Sequence, residues 1–267
     1  MENSASFFII VPTLNSYRLL SPLIKSLENQ SFKNWRLLFV DGNSKKKHVD
    51  YLNKVTQKDK RLFWINQKKE FKGIYGAMNQ GIKYAKNNDW IMFWGSDDKA
   101  ANSKTLRLIS EVIEKTIEIK PYLIINKCKY YDLFKLKKRR NAFFLNNKIN
   151  KLINWRYFSI LLFFGASPPH QGIVFSPKAI KNKKIYDESY DIAADLKYFL
   201  GISLNKQAPI YCMSEVNILI GSGGISSLLI KRKLKQVFKA YFTRFNLFCI
   251  IPFLFRYFRK VISFVGL

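Results

Sequence analysis

The sequence is short of acid. Only 18 Asp and Glu face 46 Lys and Arg over 267 residues, a formal charge of +28. After Glu215 no acidic residue occurs again. This imbalance points to anionic partners: nucleic acid, a negatively charged membrane surface, or a small anionic substrate. Lys and Asn are both abundant, so part of the charge is plain solvated surface. Histidine is scarcer still, limited to His48 and His170, and the three cysteines (Cys128, Cys212, Cys249) lie far apart with no CxxC. That excludes a Cys/His zinc centre. Internal repeats are lacking, as is a linker long enough to separate two independent domains. The opening "MENSASFFIIVPTLN" lacks the basic stretch and cleavage site of a signal peptide, so it reads as a chain that starts in the cytoplasm and enters a strand at once.

What is present is apolar mass. Hydrophobic residues make up 48% and aromatics 16%, enough for one substantial core, or one core plus an appendage. Phe7–Val11, "WRLLFVDGNS", "RLFWIN" and "WIMFW" read as short buried strands. Between them Ser16–Asn29, Tyr51–Lys60 and Ile74–Lys86 carry helical spacing. Strands alternating with helices at these intervals predict βαβ units and a mainly parallel sheet. Further on, "YLIINKCKYYDL" is strand-like, "KLKKRRNAFFLNNKINKLINWR" is basic and mixed, and "ESYDIAADLKYFLGISL" reads as a helix. Asn15, Asp41, Asp97 and Asp98 all fall just past strand ends, and a parallel sheet gathers such positions on the edge where ligands collect.

Asp97 and Asp98 stand side by side after an apolar run, and adjacent carboxylates repel. A pair at a strand end holds Mg2+ or Mn2+ through one or two oxygens, leaving other positions to a diphosphate and water. Alternatively Ser96 and its acidic neighbours cap the helix expected over "SKTLRLISEVIEK". The two readings are compatible. Asp41 with Gly42 is on its own a turn former, and Ile74, Met78 and Ile82 are by spacing a helix's core stripe. Asp191 and Asp195, four apart in a segment expected to be helical, share a face. That arrangement is mildly unfavourable unless one of them is engaged elsewhere.

In combination, "FFIIVPTLN", "LLFVDGNS", "GIYGAMNQGIKYAKNNDWIMFWGSDD" and "PHQGIVFSP…YDESYDIAADLKYFL" resemble the family 2 glycosyltransferases of GT-A fold. The likeness is greatest to the bacterial polysaccharide subgroup related to colanic acid transferases, and covers roughly residues 6–227. It implies an α/β, GT-A domain over residues 1–227, with a mainly parallel nucleotide-binding sheet flanked by helices. It also implies an inverting, metal-dependent transferase with Mn2+ or Mg2+ as cofactor. The donor would be a nucleotide-diphosphate sugar, a UDP-sugar first and a GDP-sugar second. The acceptor would be a lipid-linked or growing bacterial surface polysaccharide: lipopolysaccharide, capsule or exopolysaccharide.

Carried over residue by residue, the resemblance lays Pro12, Thr13 and Asn15 against the nucleotide and puts Asp41 on its base or ribose. Gly73 permits close backbone approach and Asn79 offers an amide to the donor. Asp98 takes the metal, with Asp97 nearer the nucleotide sugar. Asp195 is the base that deprotonates the acceptor hydroxyl, and Ala193 and Ala194 leave room beside it for a bulky sugar. His170 and Gln171 line the acceptor or donor-sugar side. Gly223, Gly224 and Ser226 of "GSGGISS" form a lid over the diphosphate, followed by Lys231-Arg232-Lys233. The bland alternatives are an exposed helical Asp195, a structural His170 and a merely flexible glycine loop.

The sequence departs from the subgroup at Gly76, where Asp is usual, and at Ser44-Lys45-Lys46, where Ser-Thr-Asp is common. Those departures raise a second hypothesis, a catalytically silent relative that binds nucleotide sugar. A nucleic-acid-binding protein is the third, but no recognisable module supports it, and nucleic acid is not an expected partner.

The last stretch, 228–267, carries nine Lys and Arg among "FNLFCIIPFLFRYF". Its longest uncharged run, Phe245–Phe255, contains Pro252 and falls short of the roughly 20 apolar residues a crossing needs. Aromatics mixed with cations predict a basic amphipathic helical extension on the anionic inner face of the cell membrane, with the protein cytoplasmic and peripheral. The alternative is a helix packing its aromatic face on the catalytic domain.

Overall fold

The computed structural model describes residues 5–132, 138–142, 144–181, 185–206, 208–221 and 230–265. The first half alternates as the sequence predicts: β1 (Ser6–Thr13), α1 (Tyr17–Glu28), β2 (Trp35–Asp41), α2 (Lys46–Lys58), β3 (Leu62–Asn66), α3 (Gly73–Ile82) and β4 (Asp89–Phe93). There follow β5 (Lys99–Ala100), α4 (Thr105–Lys115), β6 (Leu123–Tyr131), β7 (Lys138–Ala142), β8 (Lys151–Ile153), α5 (Trp155–Phe163) and β9 (Ile173–Phe175). The chain closes with α6 (Ala194–Ile202), β10 (Ile210–Gly221), α7 (Ile230–Phe245) and α8 (Ile250–Val265).

All ten strands join one sheet in the order β3-β2-β1-β4-β9-β6-β10-β5, with β7 added to β6 and β8 to β10. The β3-β2-β1-β4 half is parallel, as is β6-β10, while β9 runs antiparallel between them. Phe7 to Val11 are wholly buried because helices cover both faces, which is why the strand reads as an unbroken apolar run. One face packs α3, α5, α6 and α7; the other packs α1 and α4. Pro12 is tolerated inside β1 because the β1–β4 pairing already stops at Ile10, so no ladder bond needs its missing N–H.

Three local expectations are corrected. α2 begins at Lys46, earlier than Tyr51. α4 begins only at Thr105, so neither Asp97 nor Asp98 caps it. α6 begins only at Ala194, so Asp191 lies in the turn before it and shares no helical face with Asp195.

The C-terminal helices fold back on each other. By length and composition the helical run Ile230–Arg259 would suffice to cross a membrane. However, the Phe238 and Phe253 rings lie 5.5 Å apart, where a straight helix would separate them by about 22 Å. The chain turns at Asn246, whose φ of 49° is a left-handed bend between α7 and α8. Val237, Ala240 and Tyr241 enter the main core. Gly165, just past α5 with φ of 74°, lets the α8 backbone approach so closely that a Cβ there would stand 2.3 Å from the Arg256 nitrogen.

Candidate active site

The carboxyl ends of β1 and β2 form the first wall. Asp41 ends β2 fully buried and accepts from the Thr13 hydroxyl at 3.4 Å, the Ser44 N–H at 2.9 Å and the Ser44 hydroxyl at 2.5 Å. The Ser44 hydroxyl in turn accepts from the Asn15 N–H at 2.7 Å, and the Asn15 side-chain oxygen accepts from the Lys45 N–H at 2.8 Å. Asn15 holds a left-handed φ of 51°, a conformation Asn adopts readily. The two loops that the sequence placed against a nucleotide are thus interlocked through Ser44 and the Lys45 backbone. Beneath them, His48 approaches Asp41 Oδ1 to 3.3 Å without the alignment of a hydrogen bond, and burial pushes its imidazole below the usual histidine range while Asp41 pulls it back.

The second wall is the turn after β4. The Ser96 and Ser16 hydroxyls lie 2.7 Å apart, tying this turn to the start of α1. Asp98 is turned inward and buried: one oxygen accepts from the Gly95 N–H at 2.5 Å and the other from the Gly221 N–H, at the end of β10, at 3.1 Å. Asp97 is half-buried and its carboxylate overlies Gly221, where a Cβ would stand 2.2 Å from Asp97 Oδ2. The Tyr131 hydroxyl, at the end of β6, donates to the Asp97 carbonyl at 2.7 Å. Burial, then the neighbouring Asp97, drive the Asp98 carboxyl well above the usual carboxylate range.

Such a pair suits a divalent cation, because two carboxylates packed side by side repel and a cation between them offsets both charges. Among the described residues no group of three or more His, Cys, Asp or Glu side chains is placed to cage a metal. A cation here would be held by one or two carboxylate oxygens and completed by diphosphate and water, the usual arrangement for Mg2+ with phosphate substrates.

The third wall comes from α3 and α6. Asp195 sits half-buried in the first turn of α6, where its Oδ1 accepts from the Tyr75 hydroxyl at 3.1 Å. Tyr75 packs edge-on against His170, whose ring stacks on Phe93, the last residue of β4, at 5.6 Å and 18°. Asp195 is thereby linked through Tyr75, His170 and Phe93 to the end of β4, from which the turn carrying Asp97 and Asp98 leaves. His170 Nε2 lies 2.6 Å from the Tyr186 hydroxyl, and burial lowers its proton affinity against the opposing pull of Asp195. Gln171 is half-exposed beside it.

Other residues are placed differently from the sequence reading. Asn79 is fully buried and its amide is spent internally: it donates to the Tyr186 carbonyl and Glu188 and accepts from the Ile185 and Tyr186 N–H groups. It braces α3 against the 185–188 segment instead of facing the cleft. Ala193 and Ala194 are buried in the core beside Asp195. Gly73 starts α3 at φ 63° with open space around it, a conformation that favours glycine. A side chain at Gly76 would meet the Phe71 backbone at 2.6 Å and the Glu188 carboxylate at 3.1 Å. Glu188 therefore supplies an acidic group beside this glycine. Gly223, Gly224 and Ser226 lie outside the described residues. Tyr75, Ser44, Glu188 and Gln236 were not singled out from sequence. Tyr75 was open to detection, being the sole hydroxyl in "GIYGAMNQG".

The fold, a mostly parallel sheet with a carboxylate turn at its ligand edge, is that of the GT-A glycosyltransferases. Residues 8–164, more than half of the chain, match the model of glycosyl transferase family 2, and the chain belongs to that family. A PGL/p-HBAD biosynthesis glycosyltransferase of Mycobacterium bovis is 31% identical over 107 residues, 40% of this chain and 41% of that protein. The GalNAc(5)-diNAcBac-PP-undecaprenol beta-1,3-glucosyltransferase of Campylobacter jejuni is 29% identical over 107 residues, 40% of this chain and 34% of that protein. The chain thus matches at most about two fifths of the length of these relatives. Among solved structures, S. aureus TarS 1–349 in complex with UDP-GlcNAc superposes with a TM-score of 0.71 at 18% identity, covering 95% of this chain and 73% of that one. Mannosyltransferase PcManGT from Pyrobaculum calidifontis, with GDP-Man and Mn2+, gives 0.63 at 11% identity, covering 96% and 70%.

Proposed function

We propose that the chain is an inverting, metal-dependent glycosyltransferase of the bacterial polysaccharide subgroup, which extends a lipid-linked or growing surface glycan from a nucleotide-diphosphate sugar. One observation carries the reading: the Tyr75–His170–Phe93 contacts join Asp195 to the end of β4, which leads into the turn of Asp97 and Asp98. A base and a diphosphate-side carboxylate pair then border one cleft. Pro12, Thr13, Asn15 and Asp41 form its nucleotide edge. Asp195 takes the proton of the acceptor hydroxyl, and the Tyr75 hydroxyl fixes which oxygen faces it. Asp97 and Asp98 would hold the divalent cation, which when bound neutralises charge developing on the departing diphosphate. UDP is the first candidate nucleotide, since TarS is described with UDP-GlcNAc. GDP is the second, since PcManGT is described with GDP-Man.

The lipid-linked acceptor draws support from the Campylobacter relative, named for an undecaprenol-linked glycan. It also draws on the surface around the C-terminal hairpin. Leu247 and Phe248 are 82% and 71% exposed, and Leu254 and Phe258 on α8 are also open. Phe164 beside α5 touches Phe255 at 5.1 Å, which extends the apolar face onto the catalytic domain. Arg259 and Lys239 stand exposed near it, the composition of a helix lying on an anionic leaflet.

Calorimetric titration with UDP and GDP, each with and without Mn2+, tests the nucleotide site. Turnover of UDP-GlcNAc, UDP-glucose, UDP-galactose and GDP-mannose then selects the donor. The reading requires metal-dependent binding that weakens in Asp97→Ala, and turnover lost in Asp195→Asn. Binding of neither nucleotide, or full turnover by Asp195→Asn, would refute it.

A further inference from the structure

We infer that Gln236, on α7, is a positioning residue for Asp195. This rests on Asp195 as the base of the proposed reaction. The first turn of α6 has no cap of its own, because Ala193 stands at the cap position and carries no acceptor. Its leading N–H groups need partners from elsewhere. Gln236 supplies one from 43 positions downstream: its Oε1 accepts from the Ile192 N–H at 2.9 Å and from the Ala193 N–H at 3.3 Å. Its Nε2 donates to Asp191 Oδ1, and Arg232, one turn earlier on α7, pairs with the other Asp191 oxygen. On the opposite side, the Tyr75 hydroxyl lies 3.1 Å from both the Ile192 carbonyl and Asp195 Oδ1.

The peptide chain at Ile192 is therefore gripped from two directions, and Asp195 follows three residues later. The side-chain amide of Gln236 meets both demands at once, accepting from backbone N–H and donating to a carboxylate. A glutamate would set a second carboxylate against Asp191. A lysine would offer no acceptor. The same contacts account for Asp191, whose charge is neutralised by Arg232 and which serves the clamp rather than the chemistry.

The test uses the full chain. Gln236→Ala is expected to speed amide hydrogen exchange in the peptide containing Ile192 and Ala193, with UDP affinity unchanged. With the donor selected above, and water as acceptor, its kcat should fall by about 10²-fold while the donor KM holds. Gln236→Glu should fall similarly. The double variant Asp191→Asn/Gln236→Glu reverses donor and acceptor, and should recover most of the lost kcat. Wild-type kcat and exchange in Gln236→Ala would overturn the inference. So would a loss confined to KM, or a double variant with wild-type Tm that recovers nothing. If Asp195→Asn keeps full turnover, the base assignment itself has failed. If no nucleotide sugar turns over, the proposed function has failed, and the exchange measurement alone decides the clamp.

Discussion

Tyr75 and Asp195 are 120 positions apart in the chain, yet the Tyr75 hydroxyl donates to Asp195 Oδ1 at 3.1 Å. Tyr75 is almost wholly buried, and burial followed by Asp195 keeps its phenol well above the usual range, so it stays a donor at any working pH.

Tyr75→Phe removes that donor and leaves the ring packing intact. Turnover should fall about tenfold or more with UDP affinity unchanged, at a stability cost of about 1 kcal/mol. Steady-state kinetics beside a denaturant melt checks both. An equal fall in kcat and UDP affinity would place Tyr75 on the nucleotide instead.

The two adjacent carboxylates should separate on substitution. Asp98→Asn loses an acceptor for Gly95 or Gly221 and should cost about 1–3 kcal/mol. Asp97→Asn should cost far less stability and weaken the Mn2+-dependent part of UDP binding. Thermal melts and calorimetry on both variants show how stability and cation binding divide between the two carboxylates.

His48 gives a pH signature. Unfolded, it takes up a proton near its ordinary pKa of 6.5, whereas burial in the folded chain resists that proton. Just below that pH the unfolded state binds more protons, so stability falls as pH drops through this window and is fully present above it. His48→Gln should flatten the stability slope between about pH 7 and pH 5, read from urea midpoints. An unchanged slope would mean that His48 takes up its proton at the same pH folded and unfolded.

Gly165→Ala puts a Cβ into the Arg256 backbone at a φ of 74°. The expected result is a loss of about 2 kcal/mol and displacement of α8. Binding to vesicles of phosphatidylglycerol should drop while UDP binding in solution persists. Vesicle sedimentation of wild type against the variant reads this directly.

The sequence made the nucleotide half legible because each strand there is a short apolar run closed by its own turn signal, as at Asp41-Gly42. It did not reveal where α6 starts. "ESYDIAAD" has helix-compatible residues, and what ends the turn is an amide on α7, beyond any local window. Asn79 shows a related limit: its hydrogen-bonding capacity is plain in the sequence, but the side of α3 it faces depends on how the 185–188 segment packs. β7 and β8 do not stand out in the sequence because Lys and Arg blur the alternation of polar and apolar residues. The bend at Asn246 left a faint sign, an Asn inside an otherwise helical run.

The fold-back at Asn246 decides sidedness. A straight helical rod from Ile230 to Arg259 would carry the C-terminus to the opposite side of a bilayer from the catalytic domain. The hairpin instead brings the end of α8 back toward α7, so on a membrane surface both helices would stay on the side of the catalytic domain, and a protease or epitope probe at residue 265 would be met there.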